Sequence, residues 1–193
     1  MNHPHYHPVI LLPADYEVYD FSADYDPNRE RRSVFGIGKY NEHRPTMYTE
    51  EQFTNTQRSV HIGIDIAAPA GTPIYAFDDG VIFKQTYNAL PQDYGGTIIT
   101  KHHFEGKALY VLHGHLSRAS LALHLESARF QKGDIIAYVG EKEENGGWNP
   151  HLHIQLSWKE PTVCDMPGAV SLRNRSQALL DYPDPQLILG QLY

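Results

Sequence analysis

The sequence predicts a mostly β fold, an antiparallel sheet or sandwich with short peripheral helices. Three observations carry this. Short apolar or alternating runs recur from residue 59 onward. Clusters of Gly, Pro, Asp and Asn separate them as tight turns would. Long runs of helical period, which alternating βα units require, are missing between them.

Taken in order, residues 1–32 are rich in Pro, Asp, Tyr and His without a sustained period, and read as an arm that packs locally if at all. Val34-Phe-Gly-Ile-Gly-Lys-Tyr40 reads as a strand whose glycines let backbones approach closely. Further strands are expected at 59–66, 73–77, 80–87, 96–103, 107–114, 134–139 and 151–158. Their turns are Pro69-Ala-Gly71, Asp78-Asp79-Gly80, Asp93-Tyr-Gly-Gly96, Gly133-Asp134 and Asn145-Gly-Gly147. One helix is expected over 117–130, although Leu121, Leu123 and Leu125 fit the helical period poorly. Asp184-Pro185 resembles an N-cap and first helical residue, opening a short helix that Gly190 ends. The chain therefore divides into an N-terminal arm and leading strand (1–58), a core (59–160) and a C-terminal extension packed on it (161–193).

At 193 residues this fits one domain with extended arms, long enough to bury a core without staples. Hydrophobic residues at 41% and charged residues at 20% suit a globular chain and not a disordered one. Sixteen basic against 23 acidic side chains give a charge of −7, which argues against binding nucleic acid or an anionic membrane by bulk electrostatics. Cys164 is the single cysteine, so no intrachain disulfide forms, and no reactive role is expected of it. The opening residues lack the basic, apolar and cleavage regions of a signal peptide. The apolar run Val9–Leu12 ends at Pro13, far short of the ~20 residues that span a membrane.

The 12 histidines carry the chemistry. His61 and Asp65 occur in His-Ile-Gly-Ile-Asp, His113 and His115 in Leu-His-Gly-His-Leu, His151 and His153 in Pro-His-Leu-His-Ile, and His102-His103 close a strand. Residues two apart on a strand share a face, ~6.6 Å apart, so His151 and His153 can look into one site. His61 and Asp65 would lie ~13 Å apart on a straight strand. Sharing an ion needs a bend, which Gly63 permits. Two His and one carboxylate, with a fourth position open, form the ligand set of a catalytic zinc and not a structural one. A strand histidine bonded to a carbonyl is the commoner use of any single pair, but three pairs in one domain point to a shared site. His3, His5 and His7 read more simply as an irregular terminus than as a metal tract. No His-Glu-x-x-His helix, thiolate zinc site, Gly-x-Ser-x-Gly elbow or phosphate loop is present. Without a Glu base, proton transfer falls to histidine.

His61-x-x-x-Asp65, Ala70-Gly71-Thr-Pro-Ile-Tyr-Ala-Phe-Asp-Asp-Gly80, Gly114-His115-Leu-Ser, Gly133-Asp-Ile-Ile-Ala-Tyr-Val-Gly140 and His151-Leu-His153 follow one another in the order of the lysostaphin-type (LytM-like) zinc metallopeptidases. The chain resembles that family over about residues 59–156. The resemblance implies the duplicated hybrid motif fold and a zinc metalloendopeptidase holding one Zn²⁺ per chain. His61, Asp65 and His153 would be the zinc ligands, with His115 and His151 as catalytic histidines acting on water and on the tetrahedral intermediate. His113 is an additional histidine without an assigned role. The flanks Asn145-Gly-Gly-Trp148-Asn-Pro, Met166-Pro-Gly168 and Pro183-Asp-Pro-Gln-Leu-Ile-Leu resemble peptidase-like domains in bacterial aminotransferase fusion proteins. The expected partner is a peptide or small amide, with no nucleic acid and no membrane. Without a leader, a cytoplasmic protein acting on soluble substrates is expected, not one acting on intact peptidoglycan. The alternatives are a non-catalytic, zinc-retaining binding or regulatory module and a small-molecule hydrolase linked to amine metabolism.

Overall fold

The computed structural model describes residues 6–26 and 28–193. His3 and His5 lie outside them. Among the described residues the strands are β1 (Glu17–Val18), β2 (Gly36–Gly38), β3 (Arg58–His61), β4 (Ile64–Ala67), β5 (Pro73–Tyr75), β6 (Gly80–Asn88), β7 (Gly95–Phe104), β8 (Lys107–Leu116), β9 (Arg129–Phe130), β10 (Ile135–Tyr138), β11 (His151–Ser157) and β12 (Ala169–Ser171). The helices are α1 (Glu51–Thr54), α2 (Arg175–Asp181) and α3 (Gln186–Leu189). An eight-stranded sheet runs β1-β2-β4-β11-β8-β7-β6-β9, accompanied by the ribbons β5/β10 and β3/β12. Among the described residues only β1 and β2 pair in parallel; the other pairings are antiparallel, as the turn-rich sequence predicts.

Alternation sets the faces. Leu152, Ile154 and Leu156 of β11 enter the core with Ile64 and Ile66 of β4 and Leu109 and Val111 of β8. The same alternation turns His151, His153 and Gln155 to the opposite face of β11. The β7–β8 hairpin closes through Glu105 and Gly106, both at positive φ (46° and 85°), as two-residue hairpin turns whose twist matches the strands require.

Three local expectations are corrected. The predicted strand 59–66 is broken at Ile62-Gly63, and its halves join different sheets. The predicted helix 117–130 contracts to a 3₁₀ turn, Arg118–Ala122, after which the chain reaches β9. Its leucines at every second position leave no single face to bury, and Leu123 and Leu125 are exposed. The arm does not pack only on itself. Val9 and Ile10 are buried in the main core, and Tyr75 N donates to Val9 O at 2.9 Å. β12, α1 and α2 carry no signal read from the sequence. At the C-terminus, Ile188 of α3 enters the core and Gly190 ends the helix at φ 77°. No helix among the described residues is long and apolar enough to cross a membrane.

Candidate metal centre

The site is assembled by register. β11 pairs with β4 so that His153 stands directly opposite Asp65, and with β8 so that His153 faces Gly114. The break at Ile62-Gly63 then carries His61 back toward the carboxylate four residues on, which is the bend that the spacing demands. Gly63 is required there. A Cβ at that position would lie 2.5 Å from His153 Cε1 and 2.9 Å from Ile154 O.

The three donor atoms form a nearly equilateral triangle. His61 Nε2 is 3.1 Å from His153 Nδ1, His153 Nδ1 is 3.0 Å from Asp65 Oδ1, and His61 Nε2 is 3.2 Å from the same oxygen. Zinc bonds of ~2.0–2.1 Å in a tetrahedron place ligand atoms ~3.3–3.4 Å apart, so the triangle fits such an ion with one face open. Hydrogen bonding fixes the tautomers that ligation needs. His61 Nδ1 donates to Lys39 O at 2.9 Å, which bares Nε2. His153 Nε2 donates to Gln155 Oε1 at 3.2 Å, which bares Nδ1. Outer partners of this kind hold ligand rings in place.

The other oxygen of Asp65 is taken by Arg44, whose Nη1 donates to Oδ2 at 2.8 Å. Arg44 is 2% exposed and is held by Glu42 through Nε at 3.0 Å. Burial opposes ionisation of Asp65, but the attraction of His61 and Arg44 outweighs it and holds the carboxyl well below its usual range. Burial, with the Arg44 charge, pushes His61 down to about 4.

His115 and His151 complete the cleft wall, their rings 4.2 Å apart. His115 Nδ1 donates to Asn145 O at 2.8 Å and His151 Nδ1 to Asn149 O at 2.7 Å. Both therefore turn a bare Nε2 to the site, and His151 Nε2 lies 3.8 Å from Asp65 Oδ1. Burial lowers the pKa of both, His115 the more strongly. His115 reaches this wall because its backbone adopts φ 61°, a left-handed conformation uncommon outside glycine, where the β7–β8 register also shifts. The same twist separates it from His113. The sequence places those two on one face, yet His113 lies outside the cleft, its Nδ1 buried without a hydrogen-bond partner among the described residues. His102 is likewise structural, bonded to Thr100 Oγ1 at 2.8 Å and Asp79 O at 2.9 Å. His7 bonds Pro8 O. Burial raises the Cys164 thiol to about 12, which suits an inert side chain.

The cleft has a volume of about 140 Å³. Beyond the five predicted residues it is lined by Arg44, Tyr48, Tyr94 and Trp148, and by Tyr25 and Arg31 of the arm. None of these six was singled out for the site from sequence. Each is isolated in a loop or turn, where no spacing announces a common destination.

Three convergent donors with an open face, in a cleft walled by two further imidazoles, form a triad able to hold a metal ion, and an open position is what catalytic sites keep and structural sites close. Residues 59–164 match the profile of peptidase family M23, and the chain belongs to that family. It is 34% identical over 150 residues to the DD-carboxypeptidase/endopeptidase Mpg of Neisseria meningitidis serogroup B, covering 70% of this chain and 32% of that protein. It is 30% identical over 131 residues to the peptidoglycan DD-endopeptidase ShyC of Vibrio cholerae, covering 63% of this chain and 26% of that protein. The chain thus spans about a third or less of these relatives. Among solved structures, the catalytic domain of lysostaphin from Staphylococcus simulans aligns with TM-score 0.47 and 19% identity, covering 75% of this chain and 92% of that one.

Proposed function

We propose that this chain is a zinc-dependent peptidase in which His61, Asp65 and His153 hold one ion and His115 and His151 move protons. The observation that carries the reading is the open donor triangle facing two imidazoles whose Nε2 atoms are bare. The substrate is a short soluble peptide containing D-amino acids, a class suggested by the names of the M23 relatives.

Zinc at the triangle would polarise the scissile carbonyl and acidify the attacking water. The protein supplies the rest. Arg44 fixes Asp65 so that only Oδ1 points inward. The bare Nε2 of His115 or His151 accepts the proton released as the water oxygen bonds to the carbonyl carbon. That imidazole, now a donor, stabilises the developing oxyanion and returns the proton to the nitrogen as the C–N bond breaks. Tyr94, its ring 5.2 Å from that of His153 and 5.6 Å from that of His115, packs the two histidines in place. A non-catalytic module would need the donor triangle but has no use for two further bare imidazoles aimed at it.

The test incubates purified protein, with zinc or with chelator, with muropeptide cross-links, short D-alanyl peptides and phospho-amines. Chelator-sensitive release of amine from the peptides is expected. Cleavage that survives the chelator, or hydrolysis of phospho-amines alone, contradicts the reading.

A further inference from the structure

The arm contributes a cation to the cleft that no ion-pair partner among the described residues neutralises. It crosses the site on fixed points. Phe21 N donates to Glu42 Oε1 at 3.1 Å, Tyr25 N donates to Thr46 Oγ1 at 2.9 Å, and the Tyr25 ring meets the Trp148 ring at 6.5 Å. Three arginines line the cleft. Arg44 is engaged by Asp65 and Glu42, and Arg58 donates to the Gln52 carbonyl at 2.8 and 3.2 Å. Arg31 has neither an ion pair nor a carbonyl partner among the described residues. Its guanidinium is stacked 5.3 Å above the ring of Tyr19, which is 4% exposed. Arg29 shares that ring at 5.5 Å but is paired with Glu17. Tyr19 therefore holds Arg31 at the cleft as a planar fork without an ion-pair partner among the described residues, a group that takes a carboxylate through two parallel hydrogen bonds.

We propose that Arg31 binds the free α-carboxylate of a peptide substrate seated in this cleft. The inference rests on the peptidase reading and adds the end of the chain that is recognised. The carboxylate belongs on the arm side because Asp93 and Asp165, which also line the cleft, would repel it elsewhere. Asp65 is already occupied by Arg44.

The experiment compares N-acetyl-L-lysyl-D-alanyl-D-alanine with its C-terminal carboxamide on the zinc-loaded protein. The free acid should have the higher kcat/KM by roughly 10- to 100-fold, the range for a charge-assisted pair. That ratio should fall to near one in Arg31→Met and recover in part in Arg31→Lys. A native ratio near one, or a ratio unchanged in Arg31→Met, overturns the proposal. Calorimetry with a non-cleavable phosphinate analogue, as acid and as amide, keeps this separate from hydrolysis. If neither peptide is cleaved, yet the acid binds at least tenfold more tightly only when Arg31 is present, the peptidase reading has failed and the subsite stands. Equal binding of acid and amide removes the subsite.

Discussion

Arg44 Nη1 bonds Asp65 Oδ2 at 2.8 Å, which leaves Oδ1 of the same carboxylate to face His61 and His153. The two oxygens thus have separate tasks, one tied to a buried cation and one turned inward. Arg44 also reaches Lys39 O at 3.4 Å, the carbonyl that receives His61 Nδ1–H. One guanidinium therefore braces two of the three donors.

Removing that brace should be costly. Arg44→Met leaves Asp65 and Glu42 as buried charges without their main partner. A loss of about 3–5 kcal/mol is expected for breaking such a pair. Urea denaturation of the metal-free protein measures it, and a loss below about 1 kcal/mol would show that Arg44 is not the brace.

Gly63→Ala should damage the site more than the fold. The new Cβ falls within 2.7 Å of both His153 Cε1 and His153 Nε2, so the ring must move. Zinc affinity should drop by at least tenfold, with the circular dichroism of the sheet retained. An affinity matching the native protein's would mean that the close approach at Gly63 does not position His153.

Stability should fall in acid through histidines remote from the site. Burial pushes His102 down to about 4 and His113 to about 3, against an ordinary value of 6.5. The unfolded chain takes up protons first, so their contribution is complete above pH 6.5 and is lost as the pH falls toward 4 and 3. Each group adds about 1.4 kcal/mol per pH unit to the slope within its window. His102→Gln should reduce the slope between pH 6 and 4.5 by about one proton. An unchanged slope would contradict the assignment.

His115→Ala and His151→Ala should each keep their zinc and lose activity on the order of 10²–10⁴-fold, as expected for a missing acid–base group. Single-turnover rates on a peptide cleaved by the native protein give the answer. Native-like rates in both variants would remove the proton-transfer role.

Much of this was legible in the sequence wherever a repeat spacing met a turn. The alternation of β11 placed His151 and His153 together, and the glycine between His61 and Asp65 marked the bend. His113 and His115 show the limit. Two-residue spacing puts them on one face, and only the left-handed backbone at His115 parts them. A residue other than glycine in that conformation leaves no mark in the sequence. Arg44, Tyr25 and Trp148 were out of reach for a different reason. They sit in irregular segments, and they meet only because β4 and β11 pair and the arm folds across them. The arm itself has no period because short stretches of it, such as Val9-Ile10 and β1, add singly to structure built elsewhere.

The metal content of the purified protein and its variants tests the account most directly. Native protein prepared without added zinc should carry about one equivalent by mass spectrometry. His61→Ala, Asp65→Ala and His153→Ala should each lose it, while His115→Ala and His151→Ala keep it. Zinc retained in His61→Ala and His153→Ala, or lost from His151→Ala, would contradict the assignment of ligands and proton carriers.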